Sequence, residues 1–252
     1  MMRREWKTEW MKVRYRKIWL VLLGFLAMTF LWTGWVVNGG KPEEIRDGYR
    51  WILTNLAIIN TIFMPTMTAM LASRLCDTEV KGNTIKLLCT METKGCLFDM
   101  KLLTGACYLA IYMAAELGAL LCLGYILGFG EPLKLRHALC FLIQNFLVSL
   151  VILIFQQVLS FYFENQIMPL AAGLFGSFAG LFSWFLPKGI LHRVLIWGYY
   201  CLLSFLGNYW EEETRIMYFY DVPLDRTALY SLLVLLVLGY LAGKYLFLRK
   251  EI

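Results

Sequence analysis

The sequence has little charge. Only 17% of its 252 residues are Asp, Glu, Lys or Arg, whereas 60% are hydrophobic. Soluble domains average about 25% charged and about 45–50% apolar residues, so this composition excludes an ordinary soluble domain. The apolar residues come in runs of about 20 or more, which at about 1.5 Å per helical residue can cross a hydrocarbon core about 30 Å thick. We therefore predict an integral membrane protein.

The sequence also lacks the short motifs of nucleotide binding and hydrolase chemistry. Gly243-Lys244-Tyr245 is the nearest match to a phosphate-binding loop, but it has neither the Ser/Thr nor the upstream Gly of that motif. The motifs HExxH and GxSxG are absent, and the seven cysteines include no CxxC pair. His137 and His192 each stand apart at the end of an apolar run. We expect this chain to bind no metal ion, nucleotide or other cofactor, and an intramembrane enzyme is the weaker hypothesis.

Residues 1–17 are unusually basic, with seven Lys and Arg residues. Trp6, Trp10 and Val13 are spaced four and three residues apart, which places them on one face of a helix. A basic helix with an apolar stripe is suited to lie on an anionic membrane surface. We therefore predict an amphipathic interfacial helix at the N-terminus.

Six long apolar runs follow, and the predicted fold class is an all-α integral membrane protein. The spans are predicted at residues 18–37, 51–72, 103–129, 138–163, 167–186 and 228–247. Before the last span, residues 194–206 form an apolar run of 13 residues, too short to cross a bilayer. Its Trp and Tyr neighbours are typical of the headgroup level. We predict re-entrant or interfacial helices outside the membrane here, and a seventh span is the alternative.

The distribution of basic residues predicts the orientation. With six spans, the segments on the side of the N-terminus hold 15 of the 24 Lys and Arg residues. Cytoplasmic loops are enriched in these residues, so both termini are expected in the cytoplasm. A seventh span would place Arg249 and Lys250 outside, which counts against it.

The loop between the second and third predicted spans is the most informative part of the chain. Residues 79–88 read EVKGNTIKLL. Ile85, Leu87, Leu88 and Met91 supply apolar side chains to a short helical turn with charged residues around it. Such a helix can fill a groove in a cytosolic partner. A plain amphipathic surface loop is the alternative.

Residues 79–88 resemble the E-x-x-x-N-T-x-K-L-L segment in permease subunits of ABC-2 type transporters. The N-terminal helix, the six spans and the run YFENQIMP at residues 162–169 agree with that family. The resemblance implies that the segment forms or adjoins a cytosolic coupling helix, which docks on a separate ATPase. The residues assigned to this docking surface are Glu79, Asn83, Thr84, Ile85, Lys86, Leu87, Leu88 and Met91.

The resemblance also implies the partners. Two copies of the ATPase would bind ATP and Mg²⁺, and a second permease subunit, identical or related, would complete the transporter. The chain length and the Trp-Gly-Tyr-Tyr run at residues 197–200 are most similar to the bacitracin and lantibiotic-immunity permeases of Gram-positive bacteria. This similarity implies a bacterial plasma membrane and an antimicrobial peptide as substrate. Membrane lipid is a further expected partner and nucleic acid is not; a membrane scaffold and an exporter of another substrate are the alternatives.

Glu116 is the acidic residue nearest the middle of a predicted span. An ionised carboxylate there is costly, so it should face a cavity or a polar partner. Tyr112 lies one turn away, and the possible partners on other spans are Asn60, Gln144, Gln156 and Gln157. Two interpretations remain open: a satisfied buried polar group, or a lining residue of the transport path together with Tyr112.

Small residues recur one turn apart in the fifth predicted span, at Ala172, Gly176 and Gly180. Such spacing allows two helices to approach closely. Because the resemblance places this helix near the subunit boundary, these three residues are the candidates for an interface with the second permease subunit.

Overall fold

The computed structural model describes residues 6, 9–13, 16–82, 87–88, 93–185 and 190–250. Within these ranges, five helices are long and apolar enough to cross a membrane: α1 (Ile18–Val37), α3 (Gly48–Lys81), α4 (Lys94–Leu127), α5 (Leu135–Tyr162) and α9 (Arg226–Arg249). The short helix α2 (Pro42–Arg46) precedes α3, and the shorter apolar helix α6 (Ile167–Ser183) follows α5. The prediction of an all-α membrane protein is confirmed.

The helix α6 decides the number of spans. Its 17 residues would reach about 26 Å at about 1.5 Å per residue, slightly less than a hydrocarbon core of about 30 Å. It is apolar over its whole length and packs along α3. The count of six spans stays a prediction.

The helices α3 and α4 continue beyond the apolar runs that predicted them. The helix α3 ends at Lys81 rather than at residue 72, and α4 begins at Lys94 rather than at residue 103. Both extensions carry charged residues that pair with each other. Lys101 on α4 lies 2.6 Å from Glu79 on α3. Hydropathy detects only the apolar part of a helix, so it predicts a helix that is too short at its polar end.

The segment before α9 contains more than the predicted helices. Its elements are α7 (Ile190–Val194), a 3₁₀ helix (Ile196–Gly198), α8 (Tyr199–Leu202), β1 (Leu206–Glu211) and β2 (Ile216–Asp221). The two strands form an antiparallel hairpin that the sequence analysis did not predict. The second strand reads IMYFYD, and aromatic side chains favour strands. Arg215, with a φ of 51°, supplies the left-handed turn.

Residues 196–202 insert between the long helices. Tyr199 and Tyr200 have no exposed side-chain surface, and this short segment packs against α3, α5 and α6. The Tyr200 hydroxyl lies 2.8 Å from the Ser149 hydroxyl on α5, and the side chain of Gln144 donates a hydrogen bond to the Tyr200 carbonyl. The segment is therefore held inside the bundle, with Tyr200 beside the middle of α5.

The hairpin is attached to the loop before α3. One carboxylate oxygen of Glu44 on α2 accepts a hydrogen bond from the backbone N–H of Met217 at 3.1 Å. The other accepts from the backbone N–H of Lys41 at 2.9 Å. The Lys41 ammonium group donates to the carbonyl oxygens of Thr214 and Arg215. These bonds hold the turn of the hairpin against the loop.

Replacing Glu44 by Ala should expose the hairpin turn. The backbone donor of Met217 would lose its partner, at a cost of about 1 kcal/mol, or about fivefold in the open population. In detergent solution, we expect trypsin to cleave after Arg215 several-fold faster in Glu44→Ala than in the wild type. Glu212→Ala, at an exposed carboxylate in the turn, is the control. Equal rates in the two variants would contradict the proposed attachment.

Candidate functional site

The loop after α3 holds most of the residues assigned to the docking surface. Asn83, Thr84, Ile85, Lys86 and Met91 lie outside the residues that the structure describes. Leu87 and Leu88 are described and helical. The Leu87 side chain is 63% exposed, whereas Leu88 is half-buried and packs on a cluster that includes Phe98 and Phe247. Leu87 therefore presents apolar surface while Leu88 anchors the turn.

The structure places Glu79 inside the protein, not on the exposed face of the loop. Its carboxylate is 1% exposed and lies 2.6 Å from the ammonium group of Lys101, which is equally buried. Lys101 also lies 3.3 Å from Glu9 and donates to the carbonyl oxygen of Leu75 at 2.7 Å. Lys12 pairs with Glu9 at 2.6 Å and lies 3.6 Å from Glu79. We call Glu9, Lys12, Glu79 and Lys101 the basal ion-pair network.

The basal ion-pair network joins three elements where the loop begins. Glu9 and Lys12 lie in the helical residues 9–13, Glu79 at the end of α3 and Lys101 on α4. Arg16 adds a further pair with Asp77 at 3.1 Å. A displacement of the loop would therefore be transmitted to the N-terminal helix as well as to both long helices.

The electrostatics of this network favour the charged forms. Burial raises the pKa of the Glu9 carboxyl, but the ammonium groups of Lys101 and Lys12 outweigh that effect, so the pKa lies below its usual value. Two carboxylates face two ammonium groups. Removing one partner from such a buried pair costs about 3–5 kcal/mol, because the other charge is left uncompensated.

Glu116 is buried within α4 and belongs to a polar group that spans three helices. One carboxylate oxygen is 3.4 Å from the side-chain nitrogen of Asn60 on α3, which also donates to Asn145 on α5 at 3.2 Å. Asn145 in turn donates to the carbonyl oxygen of Phe141 at 2.8 Å. We call Asn60, Glu116 and Asn145 the mid-membrane polar group. The second oxygen of Glu116 is buried and has no hydrogen-bond partner among the described residues.

Tyr112 faces a different neighbour. Its hydroxyl lies 3.4 Å from the hydroxyl of Thr29 on α1, so the residue connects α4 with α1. Thr29, Thr33 and Glu116 line a crevice of about 10 Å³ between α1, α3 and α4. That volume suits a single water molecule. In this conformation, the crevice beside Glu116 is too small for a transported molecule.

Asn60 is the predicted partner that the structure places beside Glu116. Gln144 instead donates to the Tyr200 carbonyl, and Gln157 donates to the Phe98 carbonyl. Asn145, which follows Gln144 directly, completes the group and was missed. Neighbouring residues on a helix point about 100° apart, so the right choice depends on how α5 is rotated against α3.

The glycines proposed for a subunit interface are covered by the same chain. A side chain at Gly176 would overlap the indole ring of Trp197, and a Cβ atom at Gly180 would lie 2.8 Å from the Trp197 carbonyl oxygen. These glycines make room for the segment at residues 196–202. Ala172 is half-buried on the same helix. The outward face of α6 instead carries three exposed phenylalanines: Phe175, Phe178 and Phe182.

The hairpin carries an aromatic and acidic surface that faces away from the bundle. The rings of Tyr209 and Tyr218 are stacked with centroids 5.4 Å apart, and the ring of Tyr220 lies 6.3 Å from that of Tyr209. All three are between 37% and 52% exposed. The run Glu211–Glu213 adjoins them at the end of β1 and in the turn. Cations are attracted both to aromatic faces and to carboxylates, so this surface favours a positively charged ligand.

Comparison with known families agrees with this architecture. Residues 6–180 match the model of a family described as ABC-2 family transporter protein. The match covers well over half of the chain and includes the basal ion-pair network and the mid-membrane polar group. No curated protein matches the chain at a significant level. Among the described residues, no group of three or more His, Cys, Asp and Glu side chains could hold a metal ion.

Replacing Lys101 by Met should destabilise the protein strongly. The buried Glu79 would lose its nearest counter-charge and Glu9 would keep only Lys12, at a cost of about 3–5 kcal/mol. We expect a clear fall of the melting temperature in detergent. The control is Lys244→Met, which removes a half-exposed pair with Asp99 worth about 1 kcal/mol or less. The double variant Glu79→Gln with Lys101→Met should recover part of the loss; equal effects of the two single Lys variants would contradict the role of the network.

The contribution of Glu9 should depend on pH. Because its pKa is lowered on folding from an ordinary value of 4.5, ionised Glu9 stabilises the folded state above that pH and loses this effect as the pH falls through the folded value. We expect the difference in melting temperature between the wild type and Glu9→Gln to be constant from pH 7 to about pH 5.5 and to shrink below about pH 4.5. The exposed Glu164→Gln serves as control. A difference that grows on acidification would refute this assignment.

Proposed function

The chain belongs to the ABC-2 family of transporter proteins, and we propose that it is the permease subunit of an exporter that expels antimicrobial peptides from the bacterial membrane. The proposed substrates are lantibiotics or bacitracin, and the result is self-immunity or resistance. The ATP chemistry is supplied by two copies of a separate ATPase, which bind ATP and Mg²⁺. The chain lies in the plasma membrane with both termini in the cytoplasm.

The observation that carries this proposal is the basal ion-pair network at the start of the loop between α3 and α4. A loop that docks on an ATPase must pass its movement on to the helices. Here Lys101 on α4 connects Glu79, near the end of α3, with Glu9 of the N-terminal helix. Because the charges are buried, the connection resists separation. The exposed Leu87 supplies apolar contact surface on the loop itself.

The mid-membrane polar group supports a role in transport. Glu116 keeps one buried oxygen without a protein partner in the described part of the chain, and it adjoins a crevice between α1, α3 and α4. Polar groups at this depth are costly and are typical of transport pathways. A rearrangement of α1 against α3 and α4 would widen the crevice. A second permease subunit, identical or related, provides the other wall of the path.

The hairpin surface supports a cationic substrate. Tyr209, Tyr218 and Tyr220 offer aromatic faces, and Glu211–Glu213 offer carboxylates, on the side opposite the proposed ATPase. A peptide that carries Lys residues and apolar side chains can contact both at the membrane surface.

Loss of apolar contact at Leu87 should separate the subunits. We expect Leu87→Asp to reduce copurification of the ATPase at least tenfold, since burial of one Leu side chain contributes about 1.5–3 kcal/mol. Leu224→Asp is the matched control, because Leu224 is an exposed leucine before α9. Both variants should fold, since neither side chain is part of the core. Failure of any ATPase to copurify with the wild type, or no effect of Leu87→Asp, would overturn the proposal.

The substrate is tested separately in cells that carry the chain with its ATPase. Replacement of Glu211, Glu212 and Glu213 by Gln should raise sensitivity to a cationic lantibiotic while leaving ATPase copurification unchanged. Unchanged protection would assign the exporter to another substrate class.

A further inference from the structure

A groove runs between α5 and α9 on the outer surface of the bundle, where the two helices pack against each other. Its volume is about 520 Å³. Gly239 of α9 lines the groove without a side chain and leaves room in it, whereas at Gly243 the two helices approach closely, because a Cβ atom there would lie 2.6 Å from Val158. All other lining side chains are apolar, among them Ile154, Val158, Leu238 and Ala242. In a bilayer, this groove would face the acyl chains.

The groove occupies one half of the membrane thickness. Along α9 it extends from Leu235 to Leu246, which is about 16 Å at about 1.5 Å per residue. Half of the hydrocarbon core measures about 15 Å. Ile196, from the inserted segment, lines its mid-membrane end. A transmembrane helix of a partner would need a groove along the whole span, whereas one acyl chain of a single leaflet matches this length.

The open end of the groove is basic. Tyr162 lies one turn beyond the lining residues on α5. Arg249 lies one turn beyond them on α9, and Lys250 follows directly after that helix. The Lys250 ammonium group donates to the Phe161 carbonyl at 2.6 Å and lies 5.5 Å from the centre of the Tyr162 ring. The Arg249 guanidinium lies 4.5 Å from the centre of the Tyr245 ring. Two cationic groups thus stand at headgroup level.

The nearby carboxylate of Asp99 does not neutralise this end. It accepts hydrogen bonds from Lys244 at 2.6 Å and from the Tyr240 hydroxyl at 2.8 Å, so it is already engaged. Lys94 donates to the carbonyl oxygen of Lys250 and adds a further positive charge. Arg249, Lys250 and Lys94 thus supply three positive charges to a phosphate group at this end of the groove.

We propose that the groove between α5 and α9 binds an anionic glycerophospholipid, with one acyl chain along Gly239 and its phosphate at Arg249 and Lys250. With the C-terminus in the cytoplasm, the lipid belongs to the inner leaflet. This site goes beyond the proposed transport function. The lipid fills the gap beside α9, which has only 17% of its span buried in the protein.

The groove is tested by photolabelling of the full chain in detergent after lipid removal. The probes are phosphatidylglycerol and phosphatidylcholine that carry a diazirine in one acyl chain. We expect labels from phosphatidylglycerol to concentrate on the groove residues Ile154, Val158, Leu238 and Ala242. Gly239→Phe should abolish this labelling. A Cβ atom at residue 239 would lie 3.9 Å from the nearest side chain, Ile154, so the new side chain fits and its ring fills the groove. The control is Val237→Phe, at an exposed residue of α9 outside the groove.

The basic end is tested by its headgroup preference. Surface Lys and Arg residues each favour an anionic lipid by about fivefold. The double variant Arg249→Gln with Lys250→Gln should lose the preference for phosphatidylglycerol but keep the labelling by phosphatidylcholine, and Arg249→Lys should retain the preference. Labels spread evenly over the exposed faces of α1 and α6, or crosslinks from the groove to a second polypeptide, would overturn the proposal. Should Gly239→Phe not fold, Ala242→Phe makes the same test.

Discussion

The structure at one end of the bundle depends on the buried ammonium group of Lys101. A charge with 1% of its side chain exposed must have partners that outweigh its desolvation. Lys101 finds them in Glu79 of α3, Glu9 of the N-terminal helix and the Leu75 carbonyl. Meeting this requirement fixes three elements relative to one another. It also keeps the polar ends of α3 and α4 helical beyond the apolar runs, and it brings the N-terminal helix to the start of the loop.

The same requirement acts in the middle of the membrane. Asn60 joins Glu116 to Asn145 across three helices. The Tyr200 hydroxyl reaches Ser149 and so holds the inserted segment inside the bundle. Polar groups that lack water must find each other, and each such contact links helices that apolar packing would leave free to slide or rotate. Among the described residues, one oxygen of Glu116 and the side-chain oxygen of Asn60 are buried without a hydrogen-bond partner, and Glu116 borders the crevice between α1, α3 and α4.

Much of the fold was accessible to sequence reasoning, and parts of the site were not. The long apolar runs predicted the helices because hydropathy and span length are properties of a single segment. Asn145 was missed because the rotation of α5 decides between it and Gln144. The glycines at residues 176 and 180 were predicted to contact a second subunit, whereas in the structure a side chain at either position would meet Trp197 of the same chain. The hairpin was missed because its strands are short and its pairing joins residues 206–211 with residues 216–221.

The sequence by itself determined that this chain is a helical membrane protein, where its apolar helices lie, and which loop resembles a docking segment. These properties follow from composition and from residues close together in the chain. Only the tertiary structure decided that Glu79 is buried beside Lys101, that Asn60 links Glu116 to Asn145, and that a groove runs between α5 and α9. Such contacts join residues far apart in sequence, and they depend on how each helix is rotated and tilted against its neighbours, which local pattern does not encode.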